Sequence, residues 1–255
     1  MILQWINVVL GIVIIALTFI LLYKKYGEIA AVLASSLVSI NPYFYVVTFK
    51  GYGDNDGLII LFITLLTFLV LYEKYWFIGV PLILLYFTWN GFIIFAAITI
   101  VSYIVCLIIN KRYDVEDILM YIAFFCSSVY IFIAKNELIS KYLLKEGDLN
   151  IVAELKVASL YDVRVFVLFF IIAVAYTCYK MYKERSYKNT FLFVMCLVIA
   201  VLSFNILGIG SQRFLRLAVV PLTIITVLWI CELIKELSEK QKYAICLITI
   251  VLFGL

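Results

Sequence analysis

The chain has 255 residues, of which 67% are hydrophobic and 14% charged, against about 45–50% apolar and about 25% charged in ordinary globular chains. The net charge of +4 is carried by short Lys and Arg clusters between apolar runs, a topology signal that excludes a nucleic-acid partner, and the apolar excess leaves no room for a soluble domain. At about 20 apolar residues per span, this predicts an all-α, polytopic integral membrane bundle of roughly ten spans.

In chain order, the apolar runs predict helices over 5–23, 28–45, 57–73, 76–88, 91–110, 117–134, 163–182, 190–207, 214–235 and 242–255. The fourth is short and contains Pro81. The first lacks a basic leader and a small-residue cleavage site, so it reads as a span and not as a cleavable signal. Placing loops alternately on two sides puts Lys24, Lys25, Lys74, Lys111, Arg112, Lys180, Lys183, Arg185, Lys188, Lys235, Lys240 and Lys242 together. These are 12 of the 20 basic residues, which makes that side cytoplasmic. The external side receives the N-terminus, GYGDNDG (51–57), the turn after Trp89, the stretch from about 135 to 161, and GIGSQRF (208–214). An external N-terminus and an end, LITIVLFGL, that is still hydrophobic suggest a piece of a longer chain. No fixed-period repeat or low-complexity linker divides residues 1–255, which read as one transmembrane domain. Histidine is absent, and the six cysteines lie in apolar runs without C-x-x-C spacing; they read as small lipid-compatible fillers and argue against zinc or thiol chemistry.

Three external features carry polar chemistry. In GYGDNDG, the glycines Gly51, Gly53 and Gly57 disfavour a helix, and in an extended segment Asp54 and Asp56 point to one side. Such a pair suits a hard divalent cation, Mg²⁺ or Mn²⁺, shared with substrate phosphates, or is a solvated turn. In NIVAELKVAS (150–159), Glu154 stands in an apolar stretch just before a helix, as a ligand or as a helix-entry charge. In GSQRFLRLAVVPL (210–222), Arg213 and Arg216 are three apart on one helical face. Their rigid forks fit phosphate, though snorkelling to the interface also accounts for an Arg at a helix end.

The order of these segments, AAVLASSLVSINPYFYVVTFKGYGDNDGLIILF, then TWNGFIIF, then VAEL, then RFLRLAVVPL, resembles the catalytic subunit of oligosaccharyltransferase, in particular its archaeal forms. The resemblance covers nearly the whole chain. It implies the fold of the integral-membrane (GT-C) glycosyltransferases and transfer of a glycan from a polyprenyl pyrophosphate, such as a dolichol-linked donor, to the asparagine of an Asn-x-Ser/Thr sequon. It further implies Mg²⁺ or Mn²⁺ held by Asp54, Asp56 and Glu154, with Asp56 and Glu154 catalytic in orienting the acceptor amide, and Arg213 binding the lipid pyrophosphate. The implied partners are a lipid-linked oligosaccharide, an acceptor polypeptide and membrane lipid, in an archaeal cell membrane with the site loops outside.

Departures from the family pattern are Asn90, where the family has W-G, and Ile151, where it usually has Thr or Ser before V-x-E. The family's first external loop would precede Met1 and its soluble W-W-D domain would follow Leu255. The expectation is therefore a transmembrane part that is inactive or weak alone. Alternatives are a non-catalytic or degenerate membrane subunit, or another polyprenyl-phosphate-sugar-dependent glycosyltransferase. A transporter would place ionisable residues mid-span, and the spans here are nearly free of them.

Overall fold

A computed structural model describes residues 2–49, 55–89, 91–110, 160–203 and 213–254. Among them are ten α-helices and no strand: α1 (Ile2–Tyr26), α2 (Glu28–Ile40), α3 (Pro42–Phe49), α4 (Asp56–Leu71), α5 (Gly79–Thr88), α6 (Phe92–Asn110), α7 (Leu160–Glu184), α8 (Tyr187–Ser203), α9 (Arg213–Leu233) and α10 (Glu239–Gly254), with a single 3-10 turn at Tyr75–Phe77. The expected helix over 117–134 lies outside the described residues.

Three of the described helices are long and apolar enough to cross a membrane: Trp5–Tyr26, Phe92–Asn110 and Arg216–Leu233. A fourth is added if the bent pair α2 and α3 counts as one span. The chain is thus a membrane protein whose described residues are all-helical. Its lipid-facing surface is apolar, as on α1, where Trp5, Val9 and Ile12 are exposed while Asn7, Gly11, Ile14, Thr18 and Leu22 form the buried stripe. Buried hydroxyls within the bundle donate one turn back along their own helices, Thr18 to the Ile14 carbonyl (2.8 Å), Thr64 to Ile60 (2.7 Å) and Thr67 to Ile63 (2.8 Å). Such bonds remove the need for water in the bilayer core.

The single run expected over 28–45 is in fact two helices meeting at 67°. Pro42 has no N–H to continue α2, and Asn41 before it is extended (φ −67°, ψ 122°). The Asn41 Oδ1 then accepts from the Tyr43 N–H at 2.9 Å and the Phe44 N–H at 3.4 Å, so an Asn cap followed by Pro at the first helical position starts α3 afresh. By contrast, Pro81 sits in the first turn of α5 and interrupts nothing. Gly27 (φ +87°) supplies the left-handed residue that turns α1 into α2.

One end of the bundle gathers several of the cations that alternate loops were expected to place on one side; Lys111 and Arg112 lie outside the described residues. Lys25 donates to the Leu71 carbonyl at the end of α4, and the Tyr72 hydroxyl donates to the Leu21 carbonyl of α1. Lys188 pairs with Glu73 at 2.9 Å. Lys180 bridges Glu184 and Glu232, each at 2.9 Å, and the Tyr176 hydroxyl donates to Glu232 at 2.9 Å. The bond from Lys180 holds the Glu184 carboxyl below its usual range. The C-termini of α1, α4, α7 and α9 therefore share this basic end, and the first residues of α4 and α9 lie at the other.

Close approach of α1 to its neighbours rests on glycine. A Cβ on Gly11 would lie 2.8 Å from the Thr48 Cβ of α3, closer than two carbons can pack, so Gly11→Ala should push α1 off α3 and lower thermal stability in detergent by about 1–3 kcal/mol. Adding Thr48→Gly should recover part of the loss. An unchanged melting temperature in Gly11→Ala would refute this contact.

Candidate functional site

At the end opposite the cations, the segment 51–57 runs from α3 into α4. Residues 50–54, including Asp54, lie outside the described residues, but both flanks are visible and both rest on α1. Thr48, fully buried one residue before the end of α3, packs on Gly11. Gly57 is buried, and a Cβ there would lie 2.9 Å from the Asn7 Oδ1 and 3.3 Å from the Leu10 Cδ1.

Asp56 is the first residue of α4 and only 5% exposed. The extended conformation expected through Asp56 is thus corrected at its end: Asn55 turns (φ −74°, ψ 5°), and the helix expected from Gly57 begins one residue earlier, at Asp56. Gly57 tolerates the helix because the Asn7 amide takes the space a side chain would need. A carboxylate in this place meets the free N–H groups and positive dipole end of a helix. It is also an oxygen donor held largely away from water, which fits a hard cation. Among the described residues, no three His, Cys, Asp or Glu side chains cluster; of Asp54, Asp56 and Glu154, only Asp56 is described.

The turn after Trp89 follows the same rule of close approach. Trp89 ends α5 in an extended conformation (φ −153°, ψ 130°) and its ring tilts against Phe95, with centroids 6.4 Å apart. The ring occupies the side-chain position of the next glycine: a Cβ on Gly91 would fall 2.1 Å from the Trp89 Cζ2. Only glycine fits there. Asn90 lies outside the described residues.

Arg213 is the first residue of α9, where the expected phosphate contact would fall; its side chain is outside the described set. Arg216, one turn further, has its Nε buried without a hydrogen-bond partner among the described residues. α9 packs against α2, α3 and α4, so the helix that opens with Arg213 lies beside the helix that opens with Asp56. Asn7 belongs to the same end and was not expected there, since a lone Asn in an apolar run carries no motif. Its one signal is that it shares the helical stripe of Gly11 and Ile14.

No family model and no curated protein sequence matches the chain. Solved structures do. The chain is similar to the Archaeoglobus fulgidus oligosaccharyltransferase in its apo form, with a TM-score of 0.68 and 13% identity, over 99% of this chain and 44% of that one. The same protein tethered by a disulfide to an acceptor peptide containing the NVT sequon gives a TM-score of 0.65 at 13% identity, over 99% and 43%. Its complex with Zn and sulfate gives 0.63 at 14% identity, over 99% and 40%. The chain spans less than half the length of that protein. Over nearly all of its own residues, it has the fold of the corresponding part of an archaeal oligosaccharyltransferase.

Proposed function

We propose that the chain is the transmembrane part of an oligosaccharyltransferase, a multi-pass protein of roughly ten spans that moves a glycan from a polyprenyl pyrophosphate to asparagine in Asn-x-Ser/Thr sequons. The observation that carries this reading is the fold likeness over 99% of the chain to an oligosaccharyltransferase solved with an NVT peptide. Two details of the site support it: a buried carboxylate, Asp56, opens α4, and two arginines, Arg213 and Arg216, open the adjacent α9. The basic end faces the cytoplasm and the site end faces outward, by the positive-inside rule, in an archaeal cell membrane.

In the reaction, the asparagine Nδ2 bonds to the anomeric carbon as the carbon–oxygen bond to pyrophosphate breaks and its electron pair leaves with the phosphate, while one of the two Nδ2 protons is released to a base or solvent, leaving the N-glycosyl amide. The amide nitrogen is a weak nucleophile because its lone pair is delocalised into the carbonyl. Asp56 and Glu154, accepting hydrogen bonds from its N–H groups, would hold it in line and weaken that conjugation. Arg213 would stabilise the charge that grows on the leaving pyrophosphate, and Arg216, whose Nε has no partner among the described residues, stands one turn behind it. Mg²⁺ or Mn²⁺ on Asp54, Asp56 and Glu154 would supply further charge neutralisation at the phosphates.

Asp54→Asn and Glu154→Gln should each weaken Mn²⁺ binding about tenfold or more in a titration of detergent-purified protein, since each removes a formal charge from an oxygen site. Unchanged affinity in both would mean that the two segments share no cation.

Arg213→Lys should reduce binding of a lipid-pyrophosphate glycan more than Arg216→Lys does, because a point charge replaces a bidentate fork. The opposite order would move the phosphate contact to Arg216. Residues 1–255 alone, spanning less than half of the similar protein, are expected to transfer little or no glycan to an Asn-x-Thr peptide in liposomes; transfer at the rate of a full-length enzyme would show a complete site within them. Failure to bind either metal or lipid-pyrophosphate glycan would favour a non-catalytic subunit.

A further inference from the structure

Among the described side chains, Asn7 is the polar residue of the buried stripe of α1 nearest its outer end, only 5% exposed, while its neighbours Trp5 and Ile6 are 65% and 44% exposed. An amide turned inward from a lipid-facing helix has a destination, and here it is the first turn of α4. The Oδ1 lies 2.9 Å and the Cγ 3.6 Å from the place of a Gly57 Cβ, one residue from the buried Asp56. One helical turn along α1, Gly11 receives Thr48 from the end of α3. Both flanks of the segment that joins α3 to α4 are therefore registered against a single helix, and the flank next to the carboxylate is registered through a polar group.

Resting on the reading of Asp56 as a cation ligand, we propose that Asn7 is a positioning residue for the Asp56 carboxylate: its amide, seated over Gly57, fixes the start of α4 and the direction of the carboxylate. Packing alone would be served better by leucine, which has the same branched shape and suits a lipid-embedded helix, whereas an amide in such a helix is expensive unless it is used. The pairing also accounts for glycine at position 57 in a helix, where it is otherwise unfavourable: any side chain there would have to displace the amide.

The test uses the full 255-residue chain in detergent with Mn²⁺ as the probe. Asn7→Leu keeps the shape and removes the polarity, so the melting temperature should hold or rise while Mn²⁺ affinity falls about tenfold, the size of effect typical of groups that orient a metal ligand. Gly57→Ala, whose Cβ need only push aside the end of the Asn7 side chain, should also weaken binding without unfolding the protein. A metal-free readout runs in parallel: labelling of Asp56 by a hydrophobic carbodiimide, followed by peptide mass spectrometry, should change rate in Asn7→Leu. If the unaltered chain binds Mn²⁺ and Asn7→Leu binds it equally well, the positioning role is wrong and the cation reading survives. If the unaltered chain binds no Mn²⁺, the cation reading falls, and an unchanged labelling rate in Asn7→Leu then removes the positioning role as well.

Discussion

The approach of α1 to α3 and α4 is the constraint on which the outer half of the molecule depends. Within a bilayer there is little hydrophobic force to draw one apolar helix to another, so close packing of small residues sets the association. Gly11 and Gly57 allow contacts at 2.8 and 2.9 Å from their absent side chains. Those two contacts bracket the acidic segment, so the geometry that brings α1 into the bundle also fixes the two ends of the candidate site. Gly91 repeats the device at the next external turn, where the Trp89 ring fills its side-chain space.

Helix positions were largely legible because lipid imposes a strong, local and long-range-independent demand for apolar length. The run over 214–235 became α9 (Arg213–Leu233) and that over 91–110 became α6 (Phe92–Asn110) with shifts of one or two residues. The break inside 28–45 was written in the Asn41–Pro42 pair, but apolarity continues across it, and an apolar count does not register a missing N–H. Likewise, three glycines argued for an extended segment through Asp56, whereas Gly57 serves packing against Asn7 and the helix begins one residue earlier. In both cases a backbone or contact requirement prevailed over composition.

Candidate site residues were suggested only where several residues made a motif. Asp54 and Asp56 stand two apart and Arg213 and Arg216 three apart, spacings from which shared faces were expected; of the acidic pair only Asp56 is described, and it is helical. Asn7 lies some fifty residues before Gly57, and no local rule links them; the pairing exists only once α1 and α4 are side by side. The fold likeness at 13–14% identity makes the same point from the other direction. Helix order and packing persist where most side chains differ, so the fold supports a reaction class less directly than the few polar residues at its outer end do.

The two ends of the bundle differ in how their charges are satisfied. At the basic end, Lys180 holds two carboxylates, Lys188 holds Glu73, and Glu184 also accepts from the Asn189 amide at 2.9 Å. These groups answer one another across α4, α7, α8 and α9, and partly exposed pairs of this kind contribute little to stability singly, about 0–1 kcal/mol each; their value lies in fixing which helix ends meet. At the candidate site end, the Nε of Arg216 is buried without a hydrogen-bond partner among the described residues, and Asp56 is buried at the start of α4. Where cations and carboxylates answer one another, as at the basic end, the charges serve to fix helix ends. A buried guanidinium nitrogen without such an answer is the group that the phosphate of the proposed donor would complete.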